Sequence, residues 1–247
     1  MSQQSKVSCL CLTRDRPKYL HRAIRCFQRQ TWNNKELVIV YDFDDKRTIK
    51  LLEHFKNQPN IKCVKNGREG VTVGRLRNMS VNHATGEYVM QWDDDDFYEN
   101  NRITFMMNSI KGTDKPAVVL NSWYCVFVNK KTVRRSNPYT YEGSIIAKRE
   151  TLRKYKYPNC TRKKEGGGEI GEDTIMLRKL ISRKLLKVVS KPTIYYYFIH
   201  GTNTCSPQHF RSMFRASRTI PGSARVYRKL MERIKRDDDI FSKLMSK

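Results

Sequence analysis

Apolar positions in the first half of the chain alternate between two rhythms. Residues 6–13 (KVSCLCLT) form a near-continuous apolar run, which predicts a buried strand. Residues 17–30 carry Leu20, Ala23, Ile24 and Phe27 at helical spacing, behind a proline suited to the first helical position. A second strand follows at 35–42 and a second helix at 46–58, stopped by Pro59. A short strand at 61–65, a third helix at 71–84 and a strand at 87–92 complete the series.

Strand–helix alternation with strands apolar on both faces predicts an α/β fold with a mostly parallel sheet covered on both sides. In such sheets ligands bind beyond the carboxyl ends of the strands. Thr13–Asp15, Asp42–Asp45 and Asp93–Asp96 all fall at such ends.

The second half is less regular. Residues 117–121 and 123–131 predict strands, expected to pair antiparallel, and 143–155 a strand running into a helix. A basic, glycine-rich loop spans 160–171; Gly166–Gly168 give it freedom, and Lys163 and Lys164 are candidates to meet phosphates. A helix at 172–184, a strand at 193–201 and a basic helical tail beyond Pro207 follow.

Composition narrows the function classes. The 247 residues carry 49 Lys and Arg against 24 Asp and Glu, a net charge of +25, so anionic partners are expected. No segment approaches the roughly 20 apolar residues of a membrane span, and residues 1–17 contain no signal-peptide core. A cytoplasmic protein is expected, with peripheral contact to an anionic membrane through the tail as a further option. The seven cysteines form no CxxC pair, which argues against a zinc framework and for buried free thiols.

Against this charge stands WDDDDF, residues 92–97. Four adjacent carboxylates at a crevice mouth repel unless a cation separates them. Mg²⁺ or Mn²⁺ takes oxygen ligands and commonly keeps one or two carboxylates together with substrate phosphates. On an extended segment Asp93 and Asp95 point one way and Asp94 the other.

Five blocks in order resemble family 2 glycosyltransferases of the GT-A, Rossmann-like fold: residues 7–32, KELVIVYD, GRLRNMSVNHATGEYVMQWDDDDF, GEIGEDTIML and FIHGTNT. The resemblance spans roughly residues 6–205. It implies a catalytic domain over 1–205, with a nucleotide-binding half (1–110) and an acceptor half (111–205), and a helical extension over 206–247 packed on it.

It further implies transfer of a sugar, with inversion, from a nucleotide-diphosphate donor to a hydroxyl of a glycan or glycoconjugate. UDP is the first expectation for the donor, then GDP. Asp95 would be the chief metal ligand, with Asp93 bridging metal and donor and Asp96 supporting the site. Thr13, Arg14, Asp42, Arg77, Asn78 and Asp94 would serve the donor. His200 is a candidate for completing the metal shell or contacting the diphosphate. Asp173, with Glu172 beside it, would be the general base; a helix N-terminal role for both is the rival reading.

Two departures touch the nucleotide pocket: Tyr41–Asp45 lacks the family's glycine, and Leu12–Asp15 replaces its usual first turn. Two other functions compete. A nucleic-acid-binding protein explains the charge but not the acidic run, and no recognition motif supports it. A metal-dependent nucleotidyltransferase needs a glycine-rich phosphate loop near the first strand, which is absent.

Overall fold

A computed structural model describes residues 4–159, 162–163, 169–201, 203 and 207–246. The chain opens β1 (Val7–Thr13), α1 (Pro17–Gln28), β2 (Lys35–Asp42), α2 (Lys46–Glu53), β3 (Ile61–Asn66), α3 (Val73–His83) and β4 (Tyr88–Gln91). It continues with β5 (Phe97–Tyr98), α4 (Arg102–Lys111), β6 (Ala117–Leu120), β7 (Tyr124–Phe127), β8 (Thr132–Arg135), β9 (Ile146–Lys148) and α5 (Arg149–Lys154). Then come β10 (Arg162–Lys163), β11 (Glu169–Ile170), α6 (Glu172–Ser182), β12 (Leu186–Val189), β13 (Tyr195–Ile199), α7 (Pro207–Ala216), β14 (Arg218–Thr219) and α8 (Ser223–Met245).

The main sheet has the order β12-β6-β9-β4-β1-β2-β3. β1 pairs parallel with β2 and β4, β2 with β3, and β12 with β6. Only β9 runs against its neighbours β4 and β6. β4 and β6 therefore point the same way, and the carboxyl ends of β1, β2, β4, β6 and β12 share one edge. A second sheet, β14-β8-β7-β13-β5, stands beside it. The strands at 117–121 and 123–131 do not pair with each other as expected: β6 lies in the main sheet, whereas β7 is antiparallel to β8 and parallel to β13 in the second.

Side-chain alternation along the strands splits the core. Val7, Cys9, Cys11, Leu37 and Ile39 join α1, α2 and α4 in one apolar cluster, while Leu10, Val38 and Val40 join α3, α5 and α6 in the other. On α1, Leu20, Ile24 and Phe27 are fully buried, contributing about 1.5–3 kcal/mol each. Cys9, Cys11, Cys26 and Cys125 are buried thiols, but Cys63 is exposed. Cys160, Cys205, Lys164 and Gly166–Gly168 lie outside the described residues.

α2 stops at Glu53, short of residue 58, because the amides of His54 and Phe55 bond to Leu51 and Leu52 and tighten the chain into turns before Pro59.

α8 lies against α1. Leu230 and Ile234 are buried, Asp238 takes both donors of a fork from Arg22 (2.6 and 2.7 Å), and Asp237 does the same with Arg29 (2.8 and 2.9 Å). Among the described residues no helix is long and apolar enough to cross a membrane.

Candidate active site

The acidic run leaves the carboxyl end of β4 between two fixed points. Trp92 is fully buried and donates its indole N–H to Ala23 O (3.1 Å). The Tyr98 hydroxyl accepts from the Asp93 amide (2.8 Å) and reaches the Asp93 carbonyl (3.2 Å).

The four carboxylates then separate by partner. Asp93 accepts from Gln91 (2.8 Å) and lies 3.9 Å from Arg77. Asp94, 1% exposed, accepts from the Thr13 hydroxyl (2.7 Å) and pairs with Arg16 (2.9 Å). Asp95 accepts from the other nitrogen of Arg16 (2.9 Å) and faces His200 Nε2 at 3.4 Å. Asp96, 3% exposed, accepts from the Tyr195 hydroxyl (2.5 Å) and the Phe198 amide (3.0 Å).

These environments set their protonation apart. Burial, reinforced by the charge of Asp95, raises the carboxyls of Asp94 and Asp96 above the ordinary range. Asp93 is also raised by burial, although Arg77 opposes it. Asp95 moves the other way: burial acts to raise it, but the His200 hydrogen bond and the Arg16 charge outweigh that cost. Asp95 is thus the carboxylate most firmly held in its charged form.

Arg77, on the α3 face of the crevice, joins the acidic run to the start of α6. Its Nε donates to Glu172 (2.8 Å), and its NH2 group lies 3.8 Å from Asp173. Burial alone would lower its pKa, but Asp93 and Asp173 more than compensate, so the guanidinium stays charged. Asp173 is one-third exposed (34%), and its Oδ1 accepts from the Thr174 amide (2.6 Å). Its Oδ2 is turned toward Arg77.

Several sequence-based assignments change. Thr13 is buried and spends its hydroxyl on Asp94, so it holds the acidic run where a donor contact was expected. Asn78 clamps the backbone of Tyr157, donating to its carbonyl (2.8 Å) and accepting from its amide (3.0 Å), a structural task in place of donor contact. Asp96 has both oxygens engaged inside the protein, so the part of a metal ligand does not suit it. Asp42 sits at the end of β2 with Arg14 (3.1 Å) and Asn66 (3.0 Å), and Arg14 is otherwise largely exposed.

A metal must therefore fit fewer donors than expected. Among the described residues no three His, Cys, Asp or Glu side chains converge as a closed metal site. Asp95 and His200 do converge, and one carboxylate with one imidazole suits a cation that takes its remaining ligands from a diphosphate.

Sequence reasoning passed over Arg16, Glu142 and Tyr195. Arg16, immediately before Pro17, is placed by the turn from β1 into α1, and a cation there was the available signal. Glu142 accepts from the Thr174 hydroxyl (2.8 Å) and braces the start of α6; nothing local in sequence marks it.

Residues 8–184 match the sequence profile of Glycosyl transferase family 2. The chain belongs to that family. Among curated relatives of this family 2 chain, a cholesterol galactosyltransferase of Borreliella burgdorferi is 26% identical over 132 residues, covering 53% of this chain and 36% of that protein. The glycosyltransferase GlyG of Streptococcus pneumoniae is 26% identical over 104 residues, covering 42% and 35%. The chain thus spans about a third of the length of these relatives.

Among solved structures, S. aureus TarS residues 1–349 in complex with UDP superposes with TM-score 0.62 at 19% identity, over 85% of this chain and 64% of that one. The mannosyltransferase PcManGT of Pyrobaculum calidifontis, in complex with GDP-Man and Mn²⁺, gives 0.63 at 16% identity, over 89% and 67%. The family 2 chain has the GT-A fold.

Proposed function

We propose that this chain transfers a sugar from a nucleotide-diphosphate donor to an acceptor hydroxyl with inversion at the anomeric carbon. One observation carries the reading: Arg77 ties Asp93 at 3.9 Å and Asp173 at 3.8 Å into one crevice at the carboxyl edge of the sheet. An acidic donor end and a carboxylate base then face the same space. Family membership supports the reaction class. TarS bound to UDP and to UDP-GlcNAc favours a UDP-sugar, and PcManGT bound to GDP-Man keeps a GDP-sugar next. The acceptor is a glycan or glycoconjugate hydroxyl.

The geometry supports a role for each residue. Asp42 at the end of β2 and Arg14 just past the end of β1 meet the nucleoside. Asp95 and His200 would hold Mn²⁺ or Mg²⁺, which supplies charge neutralisation to the diphosphate when bound. Asp93 faces the donor sugar. Asp173 Oδ2 takes the proton of the acceptor hydroxyl while its oxygen bonds to the anomeric carbon and the bond to the diphosphate breaks. Arg77, 3.8 Å from Asp173 Oδ2, holds that carboxylate at the crevice.

The test is thermal unfolding with UDP-, GDP- and TDP-sugars in Mn²⁺, Mg²⁺ or EDTA, beside a turnover assay. A ligand that binds the native state raises the midpoint. The expected result is a rise with one nucleotide class, abolished by EDTA and by Asp95→Ala. Asp173→Asn should keep the rise and lose turnover. No rise with any nucleotide would sink the reading.

A further inference from the structure

Two arginines face each other across a strand pair with no acid to separate them. Arg135 on β8 is the direct partner of Arg218 on β14, and both are exposed. Like charges placed opposite on neighbouring strands are destabilising. Elsewhere this chain answers such crowding with carboxylates, as at Arg16, Arg22, Arg29 and Arg77. Among the described residues neither Arg135 nor Arg218 has an ion-pair partner.

What surrounds Arg135 is hydroxyl. Its NH2 group lies 3.4 Å from Ser122 Oγ and 3.5 Å from Ser190 Oγ, contacts at the outer limit of hydrogen bonding. The two hydroxyls are themselves 3.5 Å apart. A guanidinium fork beside two hydroxyl donors is the chemistry that takes a phosphate or carboxylate.

The position is specific. Ser122 follows β6 and Ser190 follows β12, so both stand on the sheet edge that carries the acidic run. Trp123 stacks on Tyr141 (4.2 Å), Tyr141 meets Tyr195 (3.4 Å), and Tyr195 lies 3.4 Å from Asp93. Tyr139 donates its amide to Asn121 O (2.8 Å), beside Ser122, while its ring is 50% exposed. Glu142, three positions on from Tyr139, accepts from the Thr174 hydroxyl (2.8 Å) beside the proposed base. Tyr139 thus offers an exposed aromatic face beside Asn121 and Ser122, a surface suited to a sugar ring.

We propose that Arg135, Ser122 and Ser190, with Arg218 opposite, form an anion subsite for the acceptor, which therefore carries a phosphate or carboxylate group. The acceptor assignment rests on the transferase reading; the anion site does not.

The full chain would be titrated by calorimetry, at fixed ionic strength, with sn-glycerol 3-phosphate and with glucuronate, against glycerol and glucose. UDP with Mn²⁺ would be titrated in parallel. At least one anion should bind while its neutral counterpart does not; which of the two binds tells a phosphorylated acceptor from a uronate. Arg135→Gln should weaken that binding about tenfold, and Arg218→Gln, on an exposed two-residue strand, should weaken it measurably. Lys229→Gln, on the exposed face of α8, should leave it unchanged. Binding that both arginine variants retain, or that Lys229→Gln reduces equally, overturns the subsite. UDP binding without Arg135-dependent anion binding overturns the subsite and leaves the transferase standing. Arg135-dependent anion binding without any nucleotide binding keeps the anion site and removes the transferase reading, together with the acceptor assignment.

Discussion

Arg77 Nε donates to Glu172 Oε1 at 2.8 Å across 95 positions of sequence, and both side chains are only 13% exposed. The bond fastens α3 to the first turn of α6. Removing one partner of such a pair leaves the other charge buried and uncompensated. Arg77→Gln should therefore lower unfolding free energy by about 3 kcal/mol in urea titrations. Arg77→Lys keeps charge but loses the fork, and should recover only part of that. A loss below about 0.5 kcal/mol for Arg77→Gln would mean the pair is effectively solvated.

Arg16 bridges Asp94 and Asp95 with separate nitrogens, each at 2.9 Å, so it serves as a built-in cation for half the acidic run. Arg16→Met should lower the melting midpoint in EDTA. Mn²⁺ should then raise the midpoint more in the variant than in the parent, because the freed carboxylates gain a counter-charge. Equal Mn²⁺ responses in the two proteins would contradict this.

His21 is fully buried among Phe55 and Phe241, and neither ring nitrogen has a hydrogen-bond partner among the described residues. Burial lowers its pKa to about 4, with Asp237 and Asp238 acting upward and Arg25 and Arg22 downward. The unfolded chain, with an ordinary histidine near 6.5, takes up the proton more readily. Its contribution is complete above the unfolded value and is lost as pH falls toward 4, by up to about 3 kcal/mol. Between pH 7 and 4, His21→Leu should show a shallower fall of stability than the parent. Parallel curves would show that His21 does not titrate on unfolding.

Gly74 on α3 has no room for a side chain: a Cβ there would lie 1.8 Å from the Pro158 carbonyl oxygen. Gly74→Ala must part α3 from the Tyr157 segment that Asn78 clamps. A destabilisation of about 1–3 kcal/mol is expected by denaturant titration. Gly112→Ala serves as the control, its nearest contact being 3.4 Å.

The first half of the fold was legible because its physics is local. β2 spans Lys35–Asp42 as the apolar run predicted, and Pro17 opens α1. The carboxyl-edge position of Asp93–Asp96 followed from strand–helix alternation. What stayed hidden was non-local. β8 and β14 are short strands of four and two residues with no apolar run to mark them, and only their pairing creates the Arg135–Arg218 contact. The fates of Thr13, Asn78 and Asp96 depend on partners 79 to 102 positions away, which no window of sequence contains. Of two acidic runs, Asp93–Asp96 lines the crevice, whereas Asp237 and Asp238 of the second hold α1; composition does not separate them.

The α1–α8 seam also fixes an order of events during synthesis. Arg22 and Arg29 leave the ribosome before their carboxylates, which follow 216 and 208 positions later. At about 5–20 residues per second, that interval is roughly 10–40 s. Through it, α1 shows a cationic, half-apolar face to the cell, open to chaperones and to any polyanion nearby. The N-terminal half can form its sheet in that time, but it closes only when Leu230, Ile234 and the two aspartates arrive. The α1–α8 seam thus joins the first and last of the described helices only after the sheet between them has been made.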